Sequence, residues 1–208
     1  MHLHLVRHGQ DTRRGERTLT AQGLGQARAV AARFARQGVT HLRTAAQTCA
    51  RQTAVEIFRA TGVPPAVDDR LDEIRSGPHG DARTPGPRER LREPQCARET
   101  GGSETWNRFL ERVSVCVSEL CRQGGPGQHI VLVTHSGVFD ALLEVLCGTG
   151  ARIELAVAHT GITHWEYRPG DPAGSWLLHG HNDTTHLAPV FQQPEARAAA
   201  STGDPSCG

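Results

Sequence analysis

Leu3-His4-Leu5-Val6 is a short apolar run that leads directly into Arg7-His8-Gly9, and Ile130-Val131-Leu132-Val133-Thr134 leads in the same way into His135-Ser136-Gly137. Each reads as a buried strand, then a histidine, then a turn of small residues opening a helix. In open α/β sheets ligands bind outside the carboxyl ends of the strands, so two such strands can deliver both imidazoles to one spot. Two imidazoles, a guanidinium and the N–H groups of a helix opening make a pocket for a phosphoryl group. Arg7, His8, His135, Ser136 and Gly137 are therefore candidate site residues. Gln10 and Thr12, in the polar loop after Gly9, are within reach of the same ligand.

The elements that must position these residues follow from periodicity. Leu24, Ala27, Val30, Ala31 and Phe34 recur at helical spacing behind Thr20, a suitable N-cap, and Gly38 ends that helix. Val39–Leu42 reads as a short strand. Cys49–Thr61 reads as a second helix, turning Ala50, Thr53, Ala54, Ile57 and Phe58 to the core. Pro64 and Pro65 stop it, and Ala66-Val67 begins a brief edge strand. Ser103 can cap a helix whose Trp106, Phe109, Leu110, Val113, Val117 and Leu120 form one apolar stripe, a core face and not a cofactor box. Val138–Leu146 is a helix, followed by strands near Glu154–Ala158, Gly161–Tyr167 and Ser175–Gly180. The alternation predicts an α/β fold, a three-layer α/β/α sandwich with a mostly parallel central sheet and helices on both faces. Residues 1–187 form one domain. Within it 75–102, rich in Pro, Gly and charge, is an insertion or lid loop, and 188–208 is a flexible tail.

Composition narrows the chemistry. The 208 residues suffice for one sizeable core, and the net charge of +1 gives no basic face for nucleic acid or an anionic membrane. All 23 cationic side chains are Arg; without a lysine there is neither a Schiff base nor a P-loop lysine. The 6 cysteines form no CxxC pair, which suits a reducing, cytoplasmic setting. No apolar run approaches the roughly 20 residues that cross a bilayer. His179, His181 and His186 look ligand-like together, but with no carboxylate partner in view a zinc site is not expected.

These motifs, in this order, resemble the histidine phosphatase superfamily, the group that includes cofactor-dependent phosphoglycerate mutases. Arg7-His8-Gly9 is similar to its Arg-His-Gly signature. Leu19-Thr20-Ala21-Gln22-Gly23 with Gln26-Ala27 resembles its first helix start, and Gln52-Thr53-Ala54 the end of its second helix motif. Leu71-Asp72-Glu73-Ile74 resembles the segment bearing the acid glutamate, and Val133-Thr134-His135-Ser136-Gly137 the second histidine. Gly161-Ile162-Thr163-His164 and Asn182–Leu187 look like its closing pieces. The resemblance implies a phosphatase-type hydrolase of a phosphomonoester, using no cofactor and no metal. His8 would be the nucleophile and Glu73 the acid/base, while His135 and Arg7, helped by Gln10, Ser136 and Gly137, would hold the phosphate. The implied partner is a small-molecule phosphate ester or similar anion; oligomeric state is not implied.

One family feature is missing. Counting back from Gln52, the second phosphate arginine falls on Cys49, and Thr44-Ala45-Ala46-Gln47-Thr48 before it is also atypical. Arg51 lies about 200° around the helix, and Arg43 would need a one-residue loop change to substitute. Three readings follow. Another arginine (Arg13, Arg14, Arg75 or one from the 75–102 loop) completes a phosphatase pocket; or the scaffold serves another transformation on a less charged substrate; or the pocket binds an anion or partner without turnover. Cys49 itself is either a thiolate favoured by the helix N-terminus or a small residue filling space.

Overall fold

The strands that feed the two histidines lie side by side at the centre of the sheet. The computed structural model describes residues 1–12, 16–75, 104–149, 153–170 and 174–187. In chain order the elements are β1 (His2–Arg7), α1 (Ala21–Phe34), β2 (His41–Thr44), α2 (Thr48–Thr61), β3 (Pro65–Val67), α3 (Trp106–Gln123), β4 (His129–Thr134), α4 (Ser136–Cys147), β5 (Ile162–Arg168) and β6 (Ser175–Asp183), with a 3₁₀ turn at Asp69–Leu71. The six strands run in the order β3-β2-β4-β1-β5-β6. β3, β2, β4 and β1 are mutually parallel, and β5 and β6 are antiparallel additions.

β1 pairs with β4 in register from His2 opposite His129 to Arg7 opposite Thr134. One residue later His8 and His135 leave the sheet together at its carboxyl edge. Leu3, Val6, Val131 and Val133 are fully buried, as parallel strands covered on both faces require. On one face α1 packs on α2, and on the other α3 packs on α4. The stripe on α1 (Ala27, Val30, Ala31, Phe34) and that on α3 (Trp106, Phe109, Val113, Cys116, Val117, Leu120) are both buried. Burying one such side chain contributes roughly 1.5–3 kcal/mol, so these stripes fix the helices to the sheet. The fold is the α/β sandwich the periodicity predicts.

Local departures have local causes. The Glu154–Ala158 segment is not a strand. Side chains serve its backbone instead: Leu155 N–H donates to Asp140 Oδ1 at 2.7 Å, Ala158 N–H donates to Asn182 Oδ1 at 2.8 Å, and the Val157 carbonyl accepts from Arg7 Nη1 at 2.6 Å. With those groups satisfied by side chains, no ladder forms. The second strand starts at His41 and not Val39. Thr105 caps α3, accepting from Arg108 N–H at 3.3 Å; Ser103 lies outside the described residues, as do nearly all of the 75–102 loop and the whole 188–208 tail. Cys49, Cys116, Cys121 and Cys147 are free thiols. No helix among the described residues is long and apolar enough to cross a membrane.

Candidate active site

His8 is 1% exposed. Its Nδ1–H donates to the Gly9 carbonyl at 2.7 Å, which fixes the tautomer and leaves the lone pair on Nε2. Gly9 has no room for a side chain, because a Cβ there would stand 2.5 Å from the Gly23 carbonyl oxygen. A Cβ on Gly23 would in turn stand 1.9 Å from the Gln10 carbonyl oxygen, so the loop after β1 and the first turn of α1 touch backbone to backbone. Gly9 N–H donates to Thr53 Oγ1 at 3.1 Å, and the Thr53 hydroxyl donates to the Cys49 carbonyl at 2.8 Å, tying α2 to the same loop. Burial, then the neighbouring His159 and Arg7, push the His8 imidazole down to about 3. At neutral pH it is uncharged.

His135 is the N-cap of α4, its ring centroid 4.8 Å from that of His8 with the planes at 56°. Its Nε2 lies 2.7 Å from Gln47 Oε1 and so carries the proton, while its buried Nδ1 has no hydrogen-bond partner among the described residues. Burial above all, then the charges around it, hold this imidazole well below its ordinary value. Gln47 is the N-cap of α2 but makes no side-chain cap bond; its amide is spent on His135. Cys49, fully buried, brings Sγ within 4.8 Å of ring nitrogens of both histidines. Burial pushes its thiol up to about 11 against the pull of Arg17. At neutral pH the thiol is protonated, which favours a small residue filling space over a helix-activated thiolate.

Glu73 stands at the opening of α4. Its Oε2 accepts from Gly137 N–H at 3.2 Å and from the Ser136 hydroxyl at 3.4 Å, and its Oε1 accepts from Ile74 N–H at 3.0 Å. Arg112 braces the segment from behind, donating to the carbonyls of Arg70, Asp72 and Glu73 at 2.7, 2.8 and 3.0 Å. The same guanidinium pairs with Glu104 at 2.6 Å.

Two guanidiniums serve this corner. Arg7 donates to the Val157 carbonyl. Arg17 is held by Asp11, Nε to Oδ2 at 2.5 Å, and its positive charge acts on Cys49, Glu73 and His135 alike. The turn beyond β1's end completes the wall: His159 Nδ1 donates to the His8 carbonyl at 3.1 Å, and Thr160 takes φ 58°. A left-handed β-branched residue is strained. It is held because its N–H donates to the Arg7 carbonyl and its Oγ1 lies 3.1 Å from His186 Nε2.

A neutral, oriented imidazole beside a second imidazole, a buried carboxyl group and two guanidiniums is what in-line phosphoryl transfer needs. The sequence pattern of the histidine phosphatase superfamily (branch 1) matches residues 3–183. The chain belongs to that superfamily. A probable phosphoglycerate mutase of Yersinia pestis is 26% identical over 205 residues, covering 90% of this chain and 95% of the relative. Among solved structures, a mycobacterial glucosyl-3-phosphoglycerate phosphatase with inorganic phosphate superposes with a TM-score of 0.74 at 24% identity, covering 90% of this chain and 99% of that one. A phosphoserine phosphatase of Entamoeba histolytica gives 0.73 at 21%, with 90% and 99% covered.

The fold brings His8, His135, Cys49, Glu73, Ser136 and Gly137, all singled out by the sequence, to one corner. Ser136 and Gly137 N–H face Glu73, and Gln10 is occupied inside its loop, its Oε1 accepting from the Thr20 hydroxyl at 2.8 Å. Of the arginines weighed as replacements, Arg43 is committed to Asp68 and Glu119, Arg51 is exposed, and Arg75 lies 3.8 Å from Asp69; Arg13 and Arg14 lie outside the described residues. Arg17, Gln47, His159 and Arg112 were missed. Only Arg17 left a trace, standing two residues before the Leu19-Thr20-Ala21-Gln22-Gly23 helix start. The Cys49 thiol and the rings of His8 and His135 are spaced closely enough to meet one metal ion, but two adjacent guanidiniums disfavour a cation there. His181 bonds Thr163 and the Ala156 carbonyl, and His186 bonds Thr160, so they do not gather with His179. His179 does have a carboxylate, Glu166, 2.8 Å from its Nε2.

Proposed function

We propose that the protein hydrolyses a phosphomonoester through a phosphohistidine on His8. The observation that carries this reading is the orientation of His8: Nδ1 tied to the Gly9 carbonyl, Nε2 left with its lone pair, and His135 4.8 Å away. Nε2 attacks phosphorus, the bond to the leaving oxygen breaks, and Glu73 supplies the proton that oxygen needs. Water then attacks the phosphohistidine, Glu73 takes its proton, and the N–P bond breaks to free phosphate and His8. Arg7 and Arg17 neutralise the phosphoryl oxygens and the neutral His135 donates a hydrogen bond to one of them, with Arg17 in the role that Cys49 cannot fill. A phosphate reaching His135 displaces the Gln47 amide. Hydrolysis is favoured over mutase action, since a mutase must keep its phosphohistidine from water and grip a small acidic substrate. A neutral thiol between the two histidines suits that grip poorly.

The test is turnover of aryl phosphates by the wild type and by His8→Ala, with acid-labile phosphate trapped on the wild type alone. Equal rates for the two proteins reject the enzyme. The same neutral thiol, with Gln47 on His135, supports a second reading, a divergent member that takes a less charged substrate or binds an anion without turnover. Phosphate binding by calorimetry with no turnover, unchanged in Glu73→Gln, decides for the binding module.

A further inference from the structure

Five histidines meet on one face of the sheet at the end of β1 opposite the catalytic corner, six residues or about 20 Å from His8. His2 and His4 project from alternate positions of β1. His129 pairs with His2 across β4, and His164 pairs with His4 across β5. His179 on β6 closes the row, its ring centroid 4.5 Å from that of His164. Within this row His2, His164 and His179 stand apart, because a nitrogen from each lies within 4.8 Å of the others. His2 Nδ1 and His164 Nε2 are 3.1 Å apart.

We infer that His2, His164 and His179 form a binding site for a divalent transition-metal ion of the zinc type, independent of the phosphatase chemistry. An ion held about 2.0–2.1 Å from each nitrogen in tetrahedral geometry needs those nitrogens roughly 3.3 Å apart. The His2–His164 pair already has that spacing, and a small rotamer change of the partly exposed His179 brings in the third. The N–H···N bond between His2 and His164 uses one proton; on metal binding that proton moves to the other nitrogen of its ring, and both lone pairs face the ion. Glu166 accepts from His179 Nε2 at 2.8 Å, the carboxylate partner that commonly orients a ligating imidazole. His4 and His129 stack behind the ligands and hold them in place. Glu166, which Arg168 also holds, is the carboxylate nearest the ligands, and a pocket of about 140 Å³ beside His164 and His179, lined also by the Arg33–Asp183 pair, gives an entry path. The fourth position is left to water. Three imidazoles favour zinc, copper or nickel over magnesium or calcium.

Bound there, the ion joins β1, β5 and β6 and stabilises the antiparallel edge of the sheet. The experiment is a titration of untagged, chelator-treated protein with Co²⁺, read by visible absorption, alongside melting curves with Zn²⁺. The expected result is one Co²⁺ per chain with tetrahedral d–d bands and no sulfur charge-transfer band. Zn²⁺ at about a hundredfold excess over its Kd should raise Tm by roughly 5–10 °C. His179→Gln on the exposed strand and His164→Gln should each lose the bands and the shift, while Cys49→Ser keeps both. Absence of binding, binding unchanged in both histidine variants, or a sulfur band abolished by Cys49→Ser would each overturn the site.

Discussion

A thiol held up at about 11 brings no charge to the pocket, so in the proposed reaction neutralising a phosphoryl group falls to Arg7 and Arg17. Removing one preorganised charged donor typically costs 10²–10³ in rate. Arg17→Ala should therefore lower kcat/KM by roughly 10²-fold, while Arg51→Ala, on the exposed side of α2, changes nothing; steady-state kinetics on an aryl phosphate reads both. Equal losses in the two would mean that the charge of Arg17 is spent on Asp11 alone. Cys49→Ser should leave the rate close to wild type, and iodoacetamide at pH 8 should not label Cys49 in the folded chain, checked by mass spectrometry. At this scale the sequence showed residues that sit next to their own strand ends: Arg7, His8 and His135 are placed by a single register. Arg17, Gln47 and His159 reach the site through loops whose path no periodicity records. A polar loop residue that lines a pocket looks the same in sequence as one that faces water.

The helices and strands hold the site by a few cross-links. Arg112, on α3, binds the carbonyls of Arg70, Asp72 and Glu73 and a buried carboxylate, Glu104, with side-chain exposures of 13% and 7%. Breaking such a buried pair costs about 3–5 kcal/mol, so Arg112→Ala should lose on the order of 3 kcal/mol in urea unfolding. Arg112→Lys keeps the charge but cannot span three carbonyls and a carboxylate together. It should fold, and should lower kcat on the order of tenfold with KM little changed, because Glu73 is displaced and the phosphate donors are not. A rise in KM at constant kcat would assign Arg112 to substrate binding. Helices were legible because their apolar stripes repeat every turn, and β1 and β4 because they are continuous apolar runs. The Glu154–Ala158 segment has the composition of a strand, yet Asp140 and Asn182 take its N–H groups. Those partners come from α4 and β6, and no local pattern announces them.

Across the whole molecule the buried ionisable groups set how stability responds to acid. Asp68 is surrounded by Arg70 (2.7 Å), Arg43 (3.1 Å) and the Cys116 thiol, with Glu119 bridging the two arginines. The guanidiniums hold its carboxyl down to about 2, against about 3.9 in an unfolded chain. Above that unfolded value the carboxylate stabilises the fold, and this contribution, of the order of 2 kcal/mol, is lost as pH falls through about 4 towards 2. The imidazoles of His8 and His135 act earlier. Unfolded, each accepts a proton near 6.5, while burial keeps both neutral in the fold. The unfolded chain then binds more protons, so unfolding free energy must decline as pH drops below about 6.5, before any carboxylate titrates. Urea unfolding at a series of pH values should show two limbs, one from about 6.5 downward and a second below about 4. His8→Ala should lower the slope of the first by about one proton, His4, His135 and His164 carrying the rest, without touching the second, and Asp68→Asn should do the reverse. A first limb that survives His8→Ala at full slope would mean that His8 takes up its proton in the folded state. It would then be a solvated imidazole instead of a desolvated nucleophile, and the phosphohistidine chemistry built on its neutral Nε2 would lose its physical basis.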